Sequence, residues 1–182
     1  MVNATLCRRF WLPSVGLCLV FLGGDALAAQ DCHYNSIAAT APASRFTDNG
    51  NGTVTDKAIG LEWRRCSEGQ TWSGDTCTGT AGTFTWQQAL QRADTASYAG
   101  KDDWRLPNVN ELASIVEQAC YGPAIDLGVF PETATDYFWS SSPHAYYSYS
   151  AWLVYFHDGY VDVGSNYNKG YAAYVRLVRG GQ

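Results

Sequence analysis

The sequence predicts an α+β domain with two short helices, small antiparallel sheets and long loops, stabilised by disulfides. Three observations predict it. Thr85 with Gln88, and Asn108 with Glu111, each set a capping side chain three positions ahead of a carboxamide or carboxylate, the pattern that opens a helix. From Trp152 to Val163 the residues alternate in character with a period of two, as in a strand with unlike faces. Cys32, Cys66, Cys77 and Cys120 form an even set downstream of an export-like leader.

The leader is read from its parts. Arg8 and Arg9 precede a largely apolar run from Phe10 to Gly24, and Ala26-Leu27-Ala28 offers the small residues that signal peptidase accepts. Residues 1–29 therefore read as a secretory signal peptide, with Arg8-Arg9-Phe10-Trp11-Leu12 loosely fitting its twin-arginine variant. The apolar run ends at Asp25 and is shorter than the roughly 20 residues that span a bilayer, so no transmembrane anchor is expected. No cysteine stands at the cleavage point to take a lipid. The expected location is the periplasm, the medium or the bacterial cell surface. The exported part divides into an N-terminal arm, 30–45, and a single domain, 46–182.

Charge narrows the partners. With the leader go Arg8, Arg9 and Asp25, which leaves 16 acidic against 10 basic side chains and no basic stripe. Nucleic acid and anionic membranes are poor partners for such a chain. Losing Cys7 and Cys18 leaves four cysteines, which allow three pairings. Cys66 and Cys77 flank a Ser/Gly/Thr-rich loop and are paired on that ground, leaving Cys32 with Cys120 to tie the arm to the end of the second helix. A zinc site is the rival reading, against which stand the spacing and an oxidising compartment.

The remaining elements follow in order. Asn49-Gly50-Asn51-Gly52 between Phe46-Thr47-Asp48 and Thr53-Val54-Thr55 predicts a hairpin, and Leu61-Glu62-Trp63 a further strand. The loop 67–82 reads as too polar to pack without its disulfide. Trp86, Ala89, Leu90 and Ala93 form the stripe of the first helix, with Gly100 as its exit. Val109, Leu112, Val116 and Ala119 form the stripe of the second, which starts after Pro107. Trp104 and Leu106 are expected to plug the core between them. In the tail, Trp152, Val154, Phe156, Val161 and Val163 are assigned to the buried face, and Leu153, Tyr155, His157, Tyr160 and Asp162 to the presented one. Tyr174 to Val178 is a last strand that closes the sheet near the N-terminus.

Candidate chemistry is sparse. Ser140, Ser141 or Ser142 with His157 and Asp158 lacks the nucleophile-elbow frame, and adjacent His and Asp side chains serve one another poorly. Asp48, Asp56, Glu62, Asp102, Asp103 and Glu111 are carboxylates for glycosidic chemistry only if the fold brings two together. Arg105 beside Asp102 and Asp103 is either a ligand clamp or, as expected, a structural ion pair that pins the interhelix connection. The run Asp48 to Asp56 alternates oxygen ligands as a calcium loop does, but lacks the closing bidentate Glu; a tight hairpin is the simpler reading, and no cofactor is expected. No enzymatic activity is expected.

The tail carries the functional signal. Nine of the twelve tyrosines lie between Tyr137 and Tyr174 among serines, asparagines and glycines. Tyrosine offers large contact area at low rotamer cost, and Ser, Asn and Gly supply adaptable hydrogen bonds. The alternative use for some of these rings, Tyr137 and Tyr174 above all, is a satellite core.

Arg45 to Asp56, Gly60-Leu61-Glu62-Trp63, Asp103-Trp104-Arg105-Leu106-Pro107-Asn108, Glu111-Leu112, Pro123-Ala124-Ile125-Asp126, Tyr137 to Ser142, Ala151-Trp152, Phe156-x-x-Gly159 and Tyr174 to Arg179 together resemble the C-terminal domain of the Legionella collagen-like adhesin. The resemblance covers roughly 45–180. It implies a bacterial extracytoplasmic domain with a C-type-lectin-like fold, akin to the formylglycine-generating-enzyme branch. That branch's catalytic cysteines have no counterpart, since no cysteine lies in the C-terminal third. The adhesin's domain is associated with glycosaminoglycan-like polysaccharides, an association that this chain's acidic balance opposes.

The tail is also similar to the variable ends of proteins diversified by retroelements, where Tyr, Asn, Ser, Asp, His, Ala and Gly vary on a fixed scaffold. That likeness marks Tyr147, Ser148, Tyr149, Ser150, Leu153, Tyr155, His157, Tyr160, Asp162, Ser165, Asn166, Tyr167, Asn168 and Tyr171 as the ligand-binding face. The function expected is recognition of a protein or carbohydrate ligand on a cell surface or matrix. A self-assembling envelope protein, hence a homo-oligomer, is the alternative, and a polysaccharide-active enzyme the third.

Overall fold

The computed structural model describes residues 30–163 and 168–180, so the leader and Ser165, Asn166 and Tyr167 lie outside the described residues. The described part opens with β1 (Asp31–Cys32), β2 (Phe46–Asp48), β3 (Thr53–Asp56), β4 (Glu62–Arg64), β5 (Thr71–Trp72), β6 (Cys77–Thr78) and β7 (Thr83–Phe84). Helices α1 (Trp86–Asp94) and α2 (Val109–Ala113) follow. The second half holds β8 (Cys120–Tyr121), β9 (Tyr137–Pro143), β10 (Ala151–Tyr155), β11 (Tyr160–Asp162), β12 (Ala173–Tyr174) and β13 (Val178–Arg179). This is an α+β architecture with two short helices, small sheets that are mostly antiparallel, and two disulfides, consistent with the lectin-like fold implied by the resemblance.

The hairpin read from Asn49 to Gly52 is present, with Phe46 opposite Asp56 and Asp48 opposite Val54. Gly52 has φ +83°, and a Cβ there would lie 2.7 Å from Trp72 Cγ. β4 joins on the other side, and β13 closes the sheet in the order β13-β4-β3-β2. The single last strand expected from Tyr174 to Val178 is instead two: β12 pairs with β9 and β7 in the other sheet, and only β13 returns to the N-terminal sheet, with Val178 opposite Trp63.

The five-stranded sheet, β11-β10-β9-β12-β7, divides two cores. Phe138, Val154 and Phe156 face one core, with Trp63, Leu112, Ile115, Ile125 and Phe130. Trp139 and Leu153 face the other, with Ala89, Trp104, Leu106, Val175 and Leu177. This corrects the one-sided reading of the tail. Because β10 is covered on both faces, Leu153 is as buried as Val154, while Trp152 is only partly buried. Trp104 and Leu106 plug the second core as expected. Arg176 is fully buried against the Phe130 ring, 4.8 Å from its centroid, and donates to the Arg64 and Arg65 carbonyls and to Thr133 Oγ1. Burial pulls its pKa down to about 9.

Both capping boxes form. Two helix lengths differ from expectation. α1 stops at Asp94 because Thr95 leaves helical backbone angles (φ −103°, ψ 4°) and the Ala96 N–H turns back to the Ala93 carbonyl, so Gly100 shapes the later Tyr98–Lys101 turn instead. α2 is five residues long; Val116 and Ala119 are buried beyond it, where the Glu117 N–H leaves the helical pattern for the Ala124 carbonyl. Cys120 therefore sits in a strand, and the Cys32–Cys120 bridge ties the arm to β8 rather than to a helix. Cys66–Cys77 is the second bridge, as read.

The arm 30–45 and the loop 67–82 are both pinned. Along 30–45, β1 pairs with β8, and the Thr40 and Ala41 N–H groups donate to the buried Glu117 carboxylate. Ala41 is buried in the first core. In 67–82, Ser67, Glu68 and Gln70 are buried, because the Glu68 N–H donates to Val175 and its carboxylate pairs with Arg64. Hydrogen bonding, not apolar content, packs that loop.

Candidate functional site

The β9–β10 hairpin carries two separate groups of exposed aromatic rings, one at each end. From Tyr137 to Pro143 the strand advances about 20 Å, which sets the scale of their separation.

The first group crowns the loop between the strands. His144 stacks on Tyr147 with centroids 5.1 Å apart and lies 5.3 Å from Trp152; Tyr147 in turn contacts Tyr146 and Tyr149. The loop holds its shape through its backbone: His144 Nδ1 accepts the Tyr146 and Tyr147 N–H groups, and the Ser150 N–H donates to the Tyr147 carbonyl. Lys169 braces it from outside. Its Nζ donates to the Ser148 carbonyl at 2.8 Å and lies 4.4 Å over the Trp86 ring.

The second group is a ladder at the other end of the hairpin. Tyr137 and Tyr155, opposite one another in the β9–β10 register, stack with centroids 4.3 Å apart. Tyr155 stacks on His157 at 5.5 Å; His157 meets Tyr121 at 6.3 Å, and Tyr121 stacks on His33 at 6.2 Å. Tyr171 packs edge-on to Tyr137. Tyr160 faces Tyr155 across β10–β11, on the same side of the sheet. The Tyr137 hydroxyl reaches Asp162 at 3.5 Å, and the Tyr121 hydroxyl donates to Asp31 at 3.0 Å. The bond to Asp31 raises the Tyr121 pKa.

The sequence-derived face is thus divided rather than continuous. Tyr147, Ser148, Tyr149 and Asn168 lie in or beside the first group; Tyr155, His157, Tyr160, Asp162 and Tyr171 belong to the second. Leu153 and Ser150 leave the face, since both are fully buried: Leu153 packs into the second core, and Ser150 sits beneath the loop with its backbone committed to Tyr147 and His144. Ser165, Asn166 and Tyr167 lie outside the described residues. The sequence reading missed Tyr121 and His33. They come from distant segments and reach the ladder only through the β1–β8 pairing and the His157 carbonyl, which accepts the Gly122 N–H. Tyr137 and Tyr174 are half-buried, and Tyr174 packs beside Phe138 as the satellite-core reading expected.

Most of the other candidate residues have structural partners. Ser140 Oγ donates to the Trp152 carbonyl, and Ser142 Oγ accepts the Val109 N–H. Asp56 pairs with Arg45, Glu62 and Asp103 with Arg179, and Asp48 with Arg65. Asp48 also accepts the Gly50 N–H, and Asn51 the Thr53 N–H, as in a hydrogen-bonded turn. Arg105 pairs with Glu111 through two bonds of 2.7 Å, not with Asp102 or Asp103, because Glu111 one turn into α2 returns to it while Asp103 faces Arg179. Among the described residues, no group of three or more His, Cys, Asp or Glu side chains is arranged to hold a metal, and no helix is long and apolar enough to cross a membrane.

A disulfide-braced α+β domain presenting aromatic rings at both ends of a central hairpin defines the class. The chain belongs to the Lcl C-terminal domain family, whose pattern it matches over residues 52–179. No curated protein matches it.

Proposed function

We propose that the chain is an exported recognition module that binds a protein or glycan on a cell surface or matrix, and that it catalyses no reaction. The observation that carries the reading is the combination of exposure and rigidity in the rings. Tyr146, Tyr147, Tyr149 and Tyr160 expose 83%, 42%, 53% and 62% of their surface, while Phe138, Trp139, Ala151, Leu153 and Val154 of the hairpin beneath them are fully buried. Rings already held by stacking and backbone bonds lose little freedom on contact, the condition under which aromatic area becomes affinity. Family membership supports the surface role, through the adhesin whose terminal domain the chain resembles. Ser140 and Ser142 are spent on backbone partners and Asp48, Asp56, Glu62, Asp103 and Glu111 on arginines, which supports binding over catalysis. In this reading no calcium is needed, and the tail positions are ones a diversified receptor would vary.

The test uses the exported chain with its disulfides formed, applied to glycans and to bacterial and host cell surfaces, with calcium and with chelator. Saturable binding is expected, abolished by replacing Tyr147, Tyr149 and Tyr160 with alanine at nearly unchanged Tm. Normal binding by that triple variant would refute the face; calcium-dependent binding would return the Asp48 loop to the site. The self-assembly alternative predicts concentration-dependent oligomers that the same variant dissociates.

A further inference from the structure

The exposed rings differ in what covers them. Elsewhere in the molecule the chain supplies its own cations: Arg65 stands 4.2 Å over Trp72, Arg64 4.4 Å over Tyr98, Arg92 4.6 Å over Phe84 and Lys169 4.4 Å over Trp86. Among the described residues, no arginine or lysine lies over Tyr121 or Tyr160, although these rings are 46% and 62% exposed. Each has a carboxylate beside it instead. Asp31, half exposed, accepts the Tyr121 hydroxyl and lies 3.6 Å from His33 Nε2. Asp158, exposed in the turn before β11, accepts the Tyr160 N–H at 3.1 Å. Between the two ring–carboxylate pairs lies the Tyr155–His157 stack, which fixes their spacing.

An aromatic face beside a carboxylate attracts a cation twice, through the ring quadrupole and through charge, and repels an anion by the same terms. A neutral sugar would use the rings and gain little from the carboxylates. We propose that this end of the ladder docks a basic segment of another protein, with lysine or arginine side chains seated on Tyr121 and Tyr160 beside Asp31 and Asp158. The inference rests on the recognition reading above and names the ligand class for one of its two aromatic groups. It makes the two groups unequal: Lys169 sets a positive charge beside the crown, at the Ser148 carbonyl, whereas the ladder has carboxylates beside it.

The experiment titrates the exported, disulfide-formed chain with three labelled probes at physiological salt: a peptide alternating lysine with serine, its glutamate counterpart, and a neutral cello-oligosaccharide. The lysine peptide is expected to bind saturably and the glutamate peptide not at all. Tyr121→Ala with Tyr160→Ala, which leaves net charge unchanged, should weaken the lysine peptide about tenfold at unchanged Tm. Asp31→Asn with Asp158→Asn should weaken it comparably, while Asp75→Asn with Asp102→Asn, the same charge change elsewhere on the surface, should not. Equal binding by the tyrosine double variant would overturn the inference, because net charge alone would then explain the affinity. Failure of the lysine peptide, with tyrosine-dependent binding of the oligosaccharide or of cells, would overturn this ligand class and leave the recognition reading standing. Silence toward every probe and every cell surface would remove both.

Discussion

The carboxylate of Glu117, fully buried, accepts the backbone N–H of Ala41 at 2.9 Å across 76 positions of sequence. It also accepts the N–H groups of Thr40 and Ala119, so a single side chain satisfies three main-chain donors and holds the arm to the domain. Replacing it with alanine leaves those donors buried without an acceptor, at a cost of about 2–4 kcal/mol. Thermal melting should show that loss, and limited proteolysis should cut first within residues 33–41. A Glu117→Ala variant as stable and as protected as the parent would show that Cys32–Cys120, the β1–β8 pairing and Ala41 hold the arm without it.

The two bridges should differ in weight. Cys32–Cys120 spans 88 positions and Cys66–Cys77 spans 11. If restriction of the unfolded chain dominates, the long bridge contributes roughly 4–5 kcal/mol and the short one roughly 3 kcal/mol. Paired Cys→Ser variants compared by denaturant unfolding test the order. A larger loss from the short bridge would point to native-state packing of the 67–82 loop as the greater effect.

Glu111 links acid stability to the α1–α2 connection. Burial opposes ionisation of its carboxyl, but the bonds from Arg105 and from the Asn108 N–H outweigh burial and hold its pKa below the ordinary value. A carboxylate with a lowered folded pKa stabilises fully above its unfolded pKa, near 4.5, and loses that contribution as pH falls through the folded value. Glu111→Gln should therefore cost about 1–2 kcal/mol at pH 7 and progressively less below pH 4.5. Melting curves of parent and variant from pH 7 to pH 3 should converge; a constant gap would show that charge contributes nothing there.

Much of the fold was legible because its signals are local. The capping boxes at Thr85 and Asn108, the Asn-Gly turn before Thr53 and both cysteine pairings depend on near neighbours or on a small set of alternatives. Helix ends were less legible. Gly100 is an exit by type, but α1 ends earlier, where Thr95 leaves helical backbone angles and the Ala96 N–H turns back to the Ala93 carbonyl. Buried polar anchors such as Glu117, Glu68 and Arg176 were invisible, since their partners are main-chain groups brought near by the fold. The site was half legible. Composition marked the tyrosines of the tail, whereas Tyr121 and His33 join the ladder only through strand pairing.

Leu153 and Tyr160 provide the test of how that face was divided. Alternation alone put them on one presented surface, but a strand covered on both sides alternates between two cores rather than between core and solvent. Leu153 is 0% exposed among Trp139, Ala151 and Val175, while Tyr160 is 62% exposed at the sheet edge. Leu153→Ala should cost about 3 kcal/mol by opening a cavity. Tyr160→Ala should move stability by no more than about 0.5 kcal/mol. Ligand binding should rank them the other way, with Tyr160→Ala weakening it and residual folded Leu153→Ala protein retaining it. Denaturant unfolding and titration of the same two variants decide the matter. If Leu153→Ala folds with parental stability and loses binding, the two-core description of the hairpin is wrong.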